Sequence, residues 1–364
     1  MLLKDLDFHL PEHLIAQHPA PARDHSRLLR VDRRSGDISH HLFHELPALL
    51  PSPCSFFRND ATVFKARITG FRPTGGQVEC LLLSPSPRPA ARESESWECL
   101  LRPAKKLPAG ATFSNPGNFS ARVLARAPDG VTEVAFHPNR PGESVVEMAD
   151  RIGAVPLPPY IRRDAESGSD EKDTYNYQTV YANPEKKVAA AAPTAGLHFT
   201  PELLTRLSDG GHRFFELTLH VGLGTFQPIK TERVEDHPMH REWYEIPSAT
   251  REALREAPHS DRTRLAIGTT AVRAIEDGCR AADAPLSGTL SRQAELYIQP
   301  PFSFLGVDAL ITNFHLPRST LLCLVAAFLK PGEPDGLDRL KEIYQLAIDA
   351  EYRFFSFGDA MLIL

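Results

Sequence analysis

The sequence predicts an α/β protein in which a mixed-sheet α/β domain carries an inserted β-barrel domain. Strand-like and helix-like runs alternate from residue 152 onward, whereas residues 59–151 contain only short β-like runs separated by turn residues. The 364 residues also exceed the usual size of a single hydrophobic core. Residues 1–58 contain no complete domain of their own, so we assign them, together with residues 152–364, to the α/β domain.

The composition is that of an ordinary globular protein, with 42% hydrophobic and 24% charged residues. No run approaches 18 consecutive apolar residues, and the amino end lacks the apolar core of a signal peptide. We therefore expect a cytoplasmic protein that does not enter a membrane. Five widely spaced cysteines without a C-x-x-C pair fit neither a disulfide framework nor a zinc finger.

The net charge of −5 gives no overall sign of nucleic-acid binding. An RNA partner would need a local basic patch. The stretch SRLLRVDRRSG offers one in Arg27, Arg30, Arg33 and Arg34, and the stretch LRPAKKL offers another in Arg102, Lys105 and Lys106. The competing interpretation of each patch is a solvated surface loop.

The elements of the inserted domain follow one another without a helical period. The β-like runs are VFKARITGF, QVECLLL, WECLLR, ARVLARA and VTEVAF, and turn residues such as Gly75-Gly76 and Asp129-Gly130 separate them. Short strands at regular spacing are typical of a barrel or small sandwich.

The elements of the α/β domain are signalled by caps and periodicity. Thr200-Pro201 predicts the start of a helix and Gly210 its end. Residues 217–221, 264–268 and 310–313 read as strands. Apolar residues at helical spacing predict a helix near the carboxyl end, followed by AMLIL as a buried strand.

Four junctions between these elements contain unusual polar residues: APTAGLHFTPE, LHVGLGTFQP, GTTAVR and TNFHLPRST. Ligands of open α/β sheets bind beyond the carboxyl ends of the strands, where the following helices present free N–H groups. We therefore expect residues 193–199, 220–226, 240–242, 268–273 and 313–319 to line one cleft.

The stretch GTTAVR places Thr269, Thr270 and Arg273 at a helix start, where they could bind a carboxylate or phosphate. An ordinary N-cap with a surface ion pair between Arg273 and Glu276 explains the same residues equally well. In LHVGLG, Gly222 and Gly224 would allow a close approach of the backbone to a ligand.

Histidines are concentrated at or beside these junctions: His198, His220, His240 and His315. Imidazole is a common metal ligand, which keeps a metal-dependent hydrolase open as an alternative. No pair has the H-E-x-x-H spacing of a zinc protease, however. For a single histidine, a hydrogen-bonded structural role is the commoner outcome.

Several of these motifs together carry a resemblance. APTAGLHFT, LHVGLGTFQPI, HPMHRE, GTTAVRAIE, TNFHLPRSTLLCLVAAF and YRFFSFGDAMLI occur in the order found in the S-adenosylmethionine:tRNA ribosyltransferase-isomerase family of queuosine biosynthesis. The chain resembles that family over its whole length. One departure is NDATVFKAR, where Ala61 and Thr62 stand in place of the family's usual Thr-Arg.

The resemblance implies a specific reaction and set of partners. The ribosyl part of S-adenosylmethionine would be transferred to 7-aminomethyl-7-deazaguanine in the wobble position of tRNA and isomerised, while adenine and methionine leave. It also implies a monomer that requires no metal. The remaining alternative is a tRNA-binding protein without catalytic activity.

The resemblance also turns the motif residues into candidates for specific roles. As acid or base we consider His220, His240, Glu242, His315 and Asp359. As contacts of the substrate we consider Thr194, Gly196, His198, Gly222, Gly224, Thr269, Thr270, Arg273, Asn313, Arg318 and Arg353. Arg102, Lys105 and Lys106 are the candidates for binding tRNA.

Overall fold

The computed structural model describes residues 1–51, 53–86, 94–128, 130–163, 170–222, 229–239, 241–256, 260–281 and 288–364. Its strands are β1 (Arg27–Val31), β2 (Ile38–Leu42), β3 (Cys54–Asn59), β4 (Thr62–Val63), β5 (Arg67–Phe71), β6 (Gln77–Pro85), β7 (Glu95–Arg102), β8 (Thr112–Asn115), β9 (Phe119–Arg126), β10 (Thr132–Pro138), β11 (Lys187–Ala189), β12 (Arg213–Leu219), β13 (Glu242–Ile246), β14 (Thr263–Ile267), β15 (Leu290–Ala294), β16 (Ala309–Asn313) and β17 (Ala360–Ile363).

The α-helices are α1 (Leu46–Leu49), α2 (Val145–Ile152), α3 (Asp170–Asn176), α4 (Pro201–Asp209), α5 (Ser248–Glu256), α6 (Thr269–Arg280), α7 (Thr320–Leu329) and α8 (Gly336–Asp349). In the parts of the chain that the structure describes, none of these helices has the length and apolar character needed to span a bilayer.

Nine of the described strands form one mixed sheet in the order β15-β13-β12-β3-β14-β16-β17-β1-β2. Its centre is parallel, because β12, β3, β14 and β16 run in the same direction. β17 runs antiparallel to β16, and β1 runs parallel to β17. The carboxyl ends of the four central strands therefore meet the amino ends of β17 and β1 at one edge of the sheet.

Apolar layers cover both faces of this sheet. On one face α6, α7 and α8 pack against side chains such as Phe57, Leu219 and Leu310. On the other face Phe199, Leu203 and Leu207 pack against Phe56 and other buried strand residues. Such burial of large apolar side chains is the main favourable contribution to folding.

The second unit is a closed antiparallel barrel of β10-β7-β6-β5-β8-β9. Its interior is filled by aromatic and aliphatic side chains, including Trp97, Phe113, Phe119 and Phe136, and helix α2 packs against this core. The prediction of an α/β fold with a β-barrel is thus confirmed. The barrel strands lie within residues 67–138, inside the predicted 59–151 insert.

The barrel is attached at the edge of the sheet where the central strands end. β3 ends at Asn59, and β4 then pairs with β11 before β5 begins. The return segment is joined to the start of β5, since the backbone groups of Arg67 and Ala154 exchange two hydrogen bonds of 3.1 and 2.9 Å. The departure at Ala61 and Thr62 falls here: Ala61 is fully buried, and the Thr62 hydroxyl donates to the Asn183 carbonyl at 2.5 Å.

Some of the helix and strand boundaries predicted from the sequence agree with the structure, and others differ from it by a few residues. Thr200 caps α4 as predicted, because its hydroxyl accepts the Leu203 N–H at 3.2 Å. β12 ends at Leu219, two residues before the predicted end at 221. Ser319 precedes α7, but its hydroxyl donates to the Leu316 carbonyl at 2.8 Å and does not cap the helix.

Candidate functional site

Two adjoining cavities open where the central strands end. The first, which we call the polar chamber, has an empty volume of about 600 Å³ when the solvent space at its mouth is included. Its polar lining comes from five separate parts of the chain, with the residues Tyr160, Thr194, Thr269, Thr270, Thr312, Asn313, His315, Ser319 and Ser356. Loop-built sites of this kind are typical of the carboxyl edge of an α/β sheet.

The second cavity, which we call the apolar chamber, has an empty volume of about 540 Å³ when the solvent space at its mouth is included. Half of its lining residues are hydrophobic, namely Met239, Leu296, Tyr297, Ile298, Leu321 and Leu324. The polar half consists of His237, Glu242, Thr269, Thr270, Arg273 and Thr320. Thr269, Thr270 and Leu321 line both chambers. The two chambers therefore share one wall, at the start of α6 and α7.

His315 is the buried imidazole of the polar chamber. Its Nε2 lies 2.9 Å from the Thr312 hydroxyl, and its backbone N–H donates to the Tyr344 hydroxyl at 2.9 Å. Burial lowers the pKa of His315 to about 3. The imidazole is therefore neutral near pH 7, which is the form that accepts a proton.

Glu242 and Arg273 form an ion pair beside the apolar chamber. Arg273 Nη1 lies 2.5 Å from Glu242 Oε2, and both side chains are less than a tenth exposed. The other guanidinium nitrogens of Arg273 donate to backbone carbonyls, Nε to Leu296 at 3.0 Å and Nη2 to Ala294 at 3.1 Å. The pair thus presents almost no net charge and ties β13, α6 and the segment after β15 together.

The wall shared by the chambers is the first turn of α6. Gly268, which precedes it, has a φ of +91°, a backbone conformation that residues other than glycine rarely adopt. The N–H groups of a first helical turn lack partners within the helix and carry a partial positive charge. Thr270 Oγ1 is buried and has no hydrogen-bond partner among the described residues.

Comparisons with known proteins bear on what this cleft does. A family model described as "Queuosine biosynthesis protein" matches residues 3–363. The chain belongs to this family. A Desulfitobacterium hafniense protein named S-adenosylmethionine:tRNA ribosyltransferase-isomerase is 43% identical over 366 residues, covering all of both chains. A Geotalea uraniireducens protein of the same name is 42% identical over 363 residues, again covering both chains completely.

A solved structure is similar as well. The crystal structure of S-adenosylmethionine tRNA ribosyltransferase from Thermotoga maritima aligns with a TM-score of 0.54 and 34% sequence identity, covering 99% of this chain and 100% of that one. The queuosine family thus accounts for both the α/β domain and the barrel.

His198, in the family motif APTAGLHFT, has a different environment from His315. Its Nδ1 lies 2.7 Å from the Ser26 hydroxyl, and its Nε2 accepts from the Asn313 amide at 3.1 Å. The ring stacks on Phe43 with centroids 5.0 Å apart. Burial lowers the pKa of His198 to about 4. Both ring nitrogens therefore have partners, Nδ1 in Ser26 and Nε2 in Asn313. The Oδ1 atom of Asn313 in turn accepts from the Thr194 hydroxyl at 3.0 Å.

Several other candidates lie outside the lining of the two chambers. His220 follows β12, its N–H donates to the Trp243 carbonyl at 2.8 Å, and burial lowers its pKa. Gly196 packs against Tyr181, whose hydroxyl a Cβ would meet at 2.0 Å. Gly222 lies closer to the site, since its N–H donates to Glu242 Oε1 at 3.3 Å. His240 and Gly224 lie outside the described residues.

Asp359 and two arginines hold the chain where β17 and β1 begin. The carboxylate of Asp359 accepts the backbone N–H of Arg27 at 3.0 Å and that of Arg353 at 2.8 Å, and it also pairs with both guanidinium groups. Arg318 is exposed and pairs with Asp7. These contacts give Asp359, Arg353 and Arg318 local structural partners, and none of the three lines a chamber.

The predicted tRNA contacts lie on the barrel. Lys105 and Lys106 are exposed in a short 3-10 turn, Ala104–Lys106, and Arg102 is exposed at the end of β7. None of the three forms an ion pair with a residue that the structure describes. All three side chains are exposed, so a partner can reach them.

Some lining residues were missed by reasoning from the sequence. Tyr160 and Ser356 come from distant segments, yet their hydroxyl oxygens lie 2.7 Å apart in the polar chamber. Nothing in either segment indicates this pairing. Thr312 could have been found, because it directly precedes Asn313 at the end of a buried strand.

Proposed function

We propose that this protein is an S-adenosylmethionine:tRNA ribosyltransferase-isomerase. It transfers the ribosyl moiety of S-adenosylmethionine to 7-aminomethyl-7-deazaguanine in the tRNA wobble position and isomerises it, giving epoxyqueuosine with release of adenine and methionine. The observation that carries this is the match over the full chain to relatives of that name, at 42–43% identity. The same match disfavours the alternatives of a metal-dependent hydrolase and a non-catalytic tRNA-binding protein.

The cleft supports the first chemical step. The positive sulfur of S-adenosylmethionine acidifies the neighbouring ribose carbon, so a neutral base can remove a proton there. We assign this base to His315, because it lines the polar chamber and burial keeps its imidazole neutral. His220 and His240 stay as alternatives for the same role.

The start of α6 supports the departure of adenine. Adenine leaves the ribose with an electron pair, and negative charge develops on it until it is protonated. First-turn N–H groups and the partial positive charge of a helix stabilise such charge, most of all where water is excluded. Thr269 and Thr270 supply these groups to both chambers.

The barrel provides the proposed contact with tRNA. It is attached at the same edge of the sheet as the chambers, so an RNA bound to it could present its wobble nucleotide to the cleft. We assign phosphate binding to Arg102, Lys105 and Lys106. A cytoplasmic monomer that needs no metal completes the proposal.

The test is to incubate the protein with S-adenosylmethionine and tRNA that carries 7-aminomethyl-7-deazaguanine. We expect adenine and methionine in equal amounts and no S-adenosylhomocysteine. S-adenosylhomocysteine as the main product would instead identify a methyltransferase and overturn the proposal.

A further inference from the structure

The barrel has a positive net charge in a chain whose overall net charge is negative. Residues 67–138, which contain the barrel strands, have nine Lys and Arg against six Asp and Glu, whereas the rest of the chain has 32 against 40. Such a separation of charge between two parts of a chain is typical of proteins that bind nucleic acid. The barrel is therefore the part of the molecule that attracts a phosphate backbone.

One row of outward side chains crosses four strands of the barrel. The strand register places Thr112 of β8 opposite Arg122 of β9, Arg122 opposite Ala135 of β10, and Ala135 opposite Ser96 of β7. Residues opposite one another on antiparallel strands lie on the same face of the sheet. The residues that alternate with them belong to the barrel core, so this row lies on the outer side.

A neighbouring row begins with an exposed aromatic side chain. Phe71 of β5 lies opposite Ser114 of β8, Ser114 opposite Ser120 of β9, and Ser120 opposite His137 of β10. We call the eight residues of these two rows the barrel face. Phe71 is 43% exposed. Its ring therefore offers a flat apolar surface on which a nucleobase can stack.

A groove on the barrel face is rich in hydrogen-bond donors. Its lining includes five Ser and Thr hydroxyl groups, the guanidinium of Arg122 and the imidazole of His137. The described residues that line it include no carboxylate. The hydroxyl of Ser96 is buried and has no hydrogen-bond partner among the described residues. Hydroxyl and guanidinium groups are the usual donors to phosphate and sugar oxygens of nucleic acids.

Two carboxylates border the barrel face on the side of β7 and β10. Glu133 and Glu98 lie opposite each other in the next outward row of these strands. The Ser86 hydroxyl donates to Glu133 at 2.5 Å, and the Ser84 hydroxyl donates to Glu98 at 3.0 Å. Because carboxylates repel phosphate, a nucleic-acid backbone would pass on the side of β9 and β8.

On the side of β9 the barrel face leads to the basic turn. Arg126 lies four residues after Arg122, about 13 Å further along the strand. It is exposed, and its Nη1 donates to the carbonyl of Ala104, which begins the turn with Lys105 and Lys106, at 3.0 Å. The two arginines and the two lysines thus form one positive border, to which backbone phosphates are complementary.

The exposed ring indicates which form of RNA fits this face. In a duplex each base is stacked between its neighbours, so a side chain cannot cover the face of the base. Unpaired nucleotides can turn their bases outward and stack them on aromatic side chains. Small barrels that bind single strands combine such an aromatic surface with basic residues that follow the backbone.

We propose that the barrel face binds unpaired nucleotides of the tRNA, with one base stacked on Phe71 and the phosphate backbone lying along β9 between Arg122 and the basic turn. The hydroxyl groups of the two rows donate to phosphate and sugar oxygens. This inference rests on the proposed function for the identity of the RNA. It adds a contact with unpaired bases to the attraction of phosphate by Arg102, Lys105 and Lys106.

The test measures the binding of two RNA probes to the full-length protein by fluorescence anisotropy. One probe is an unpaired RNA of ten A and C nucleotides, and the other is an RNA duplex of ten base pairs. Phe71→Ala should weaken binding of the unpaired probe about tenfold, because the stacking of one base is lost, and should leave the duplex unchanged. Phe71→Tyr keeps the ring and should bind both probes as the unvaried protein does.

Arg122→Ala should lower the salt slope for the unpaired probe by about 0.7, the value for one phosphate contact on a single strand. Arg122→Lys keeps the charge and should keep the slope. The matched control for Phe71 is Trp243→Ala, because Trp243 is 44% exposed but lies on β13 of the α/β sheet. It should leave RNA binding unchanged. Phe71→Leu, which removes only the aromatic character, replaces Phe71→Ala if that variant does not fold.

Four results would overturn the proposal. The unvaried protein could fail to bind the unpaired probe, or Phe71→Ala could bind it with unchanged affinity. Trp243→Ala could lose as much affinity as Phe71→Ala, or Phe71→Ala could weaken the duplex as much as the unpaired probe, which would assign the face to paired RNA. Failure of the proposed function is distinguishable, because the unvaried protein would then release no adenine on turnover, whichever RNA it binds.

Discussion

The cleft of the sheet and the surface of the barrel place polar residues in opposite environments. In the cleft, His315, Glu242 and Arg273 are buried and held by short hydrogen bonds. On the barrel, Lys105 and Lys106 are exposed and form no ion pair with described residues. Buried groups have fixed positions, and water and salt screen their electrostatic interactions little. Exposed charges attract a partner over a distance, and salt screens this attraction.

This difference separates two kinds of variant. Changes in the cleft should alter the chemical step, the binding of the small substrate or the stability of the fold, with little dependence on salt. Changes on the barrel should alter tRNA affinity in a salt-dependent way and leave the chemistry intact. Variants of the cleft and of the barrel test this division.

The largest effect is expected for His315→Ala. Loss of a general base typically costs about 10²–10⁴-fold in rate, so adenine release should fall by that factor while tRNA affinity is unchanged. Single-turnover kinetics and a tRNA binding assay measure the two quantities. His220→Ala is the comparison, since His220 does not line either chamber. An active His315→Ala together with an inactive His220→Ala would move the base to His220.

The second effect concerns the ion pair of the cleft. Glu242→Ala leaves the buried guanidinium of Arg273 without its carboxylate, which typically lowers the free energy of unfolding by about 3–5 kcal/mol. Arg241 and Glu295 form a neighbouring pair at 3.1 Å that is well exposed. Arg241→Ala should therefore cost less than about 1 kcal/mol. Urea unfolding of both variants checks this, and equal losses would contradict the buried pair.

The third effect is a dependence of stability on pH. Burial lowers the pKa of His198 to about 4 and that of His315 to about 3, whereas an unfolded histidine titrates near 6.5. Between about pH 4 and 6.5 the unfolded state binds more protons, so stability must fall as the pH falls through this window. Each histidine contributes a slope of up to about 1.4 kcal/mol per pH unit.

Urea unfolding at several pH values from 4 to 7 measures this slope. His315→Gln should lower the number of protons taken up on unfolding by about one, and the slope should fall accordingly. His13→Gln, at an exposed histidine, should leave it unchanged. A slope that His315→Gln does not alter would show that His315 titrates normally in the folded protein.

The smallest effect is expected on the barrel. Replacing Lys105 and Lys106 together by Ala should lower the salt slope of tRNA affinity by about 1–2 units if both contact phosphate. The matched control replaces both by Arg, which keeps the charges and should keep the slope. Adenine release at saturating tRNA should be unchanged in both double variants. An unchanged slope in the Ala variant would remove this loop from the interface.

The sequence predicted the framework of the fold because that framework follows from local signals. Apolar runs such as 310–313 and the cap at Thr200 depend on neighbouring residues, and the structure contains β16 and α4 at these places. The short strand-like runs and the turn residues between them predicted the barrel equally well. The predicted end of β12 was wrong by two residues. A strand ends where its pairing partners no longer extend beside it, and the residues of the strand do not show where that is.

The site was predictable only in part. Polar residues at the junctions after β14 and β16 indicated where the cleft lies, since the carboxyl ends of parallel strands lie at one edge. The sequence did not indicate which histidine is locked by two hydrogen bonds, as His198 is. Nor did it indicate that Tyr160 and Ser356 meet, because that contact depends on the tertiary fold.

In this mechanism the cleft moves the ribosyl group of S-adenosylmethionine and not its methyl group. The most direct measurement uses S-adenosylmethionine labelled separately in the ribose and in the methyl group, with tRNA carrying 7-aminomethyl-7-deazaguanine. We predict that the ribose label enters the RNA in one equivalent per adenine released, while the methyl label is recovered in free methionine. A methyl label in the RNA, with the ribose label in S-adenosylhomocysteine, would contradict the account.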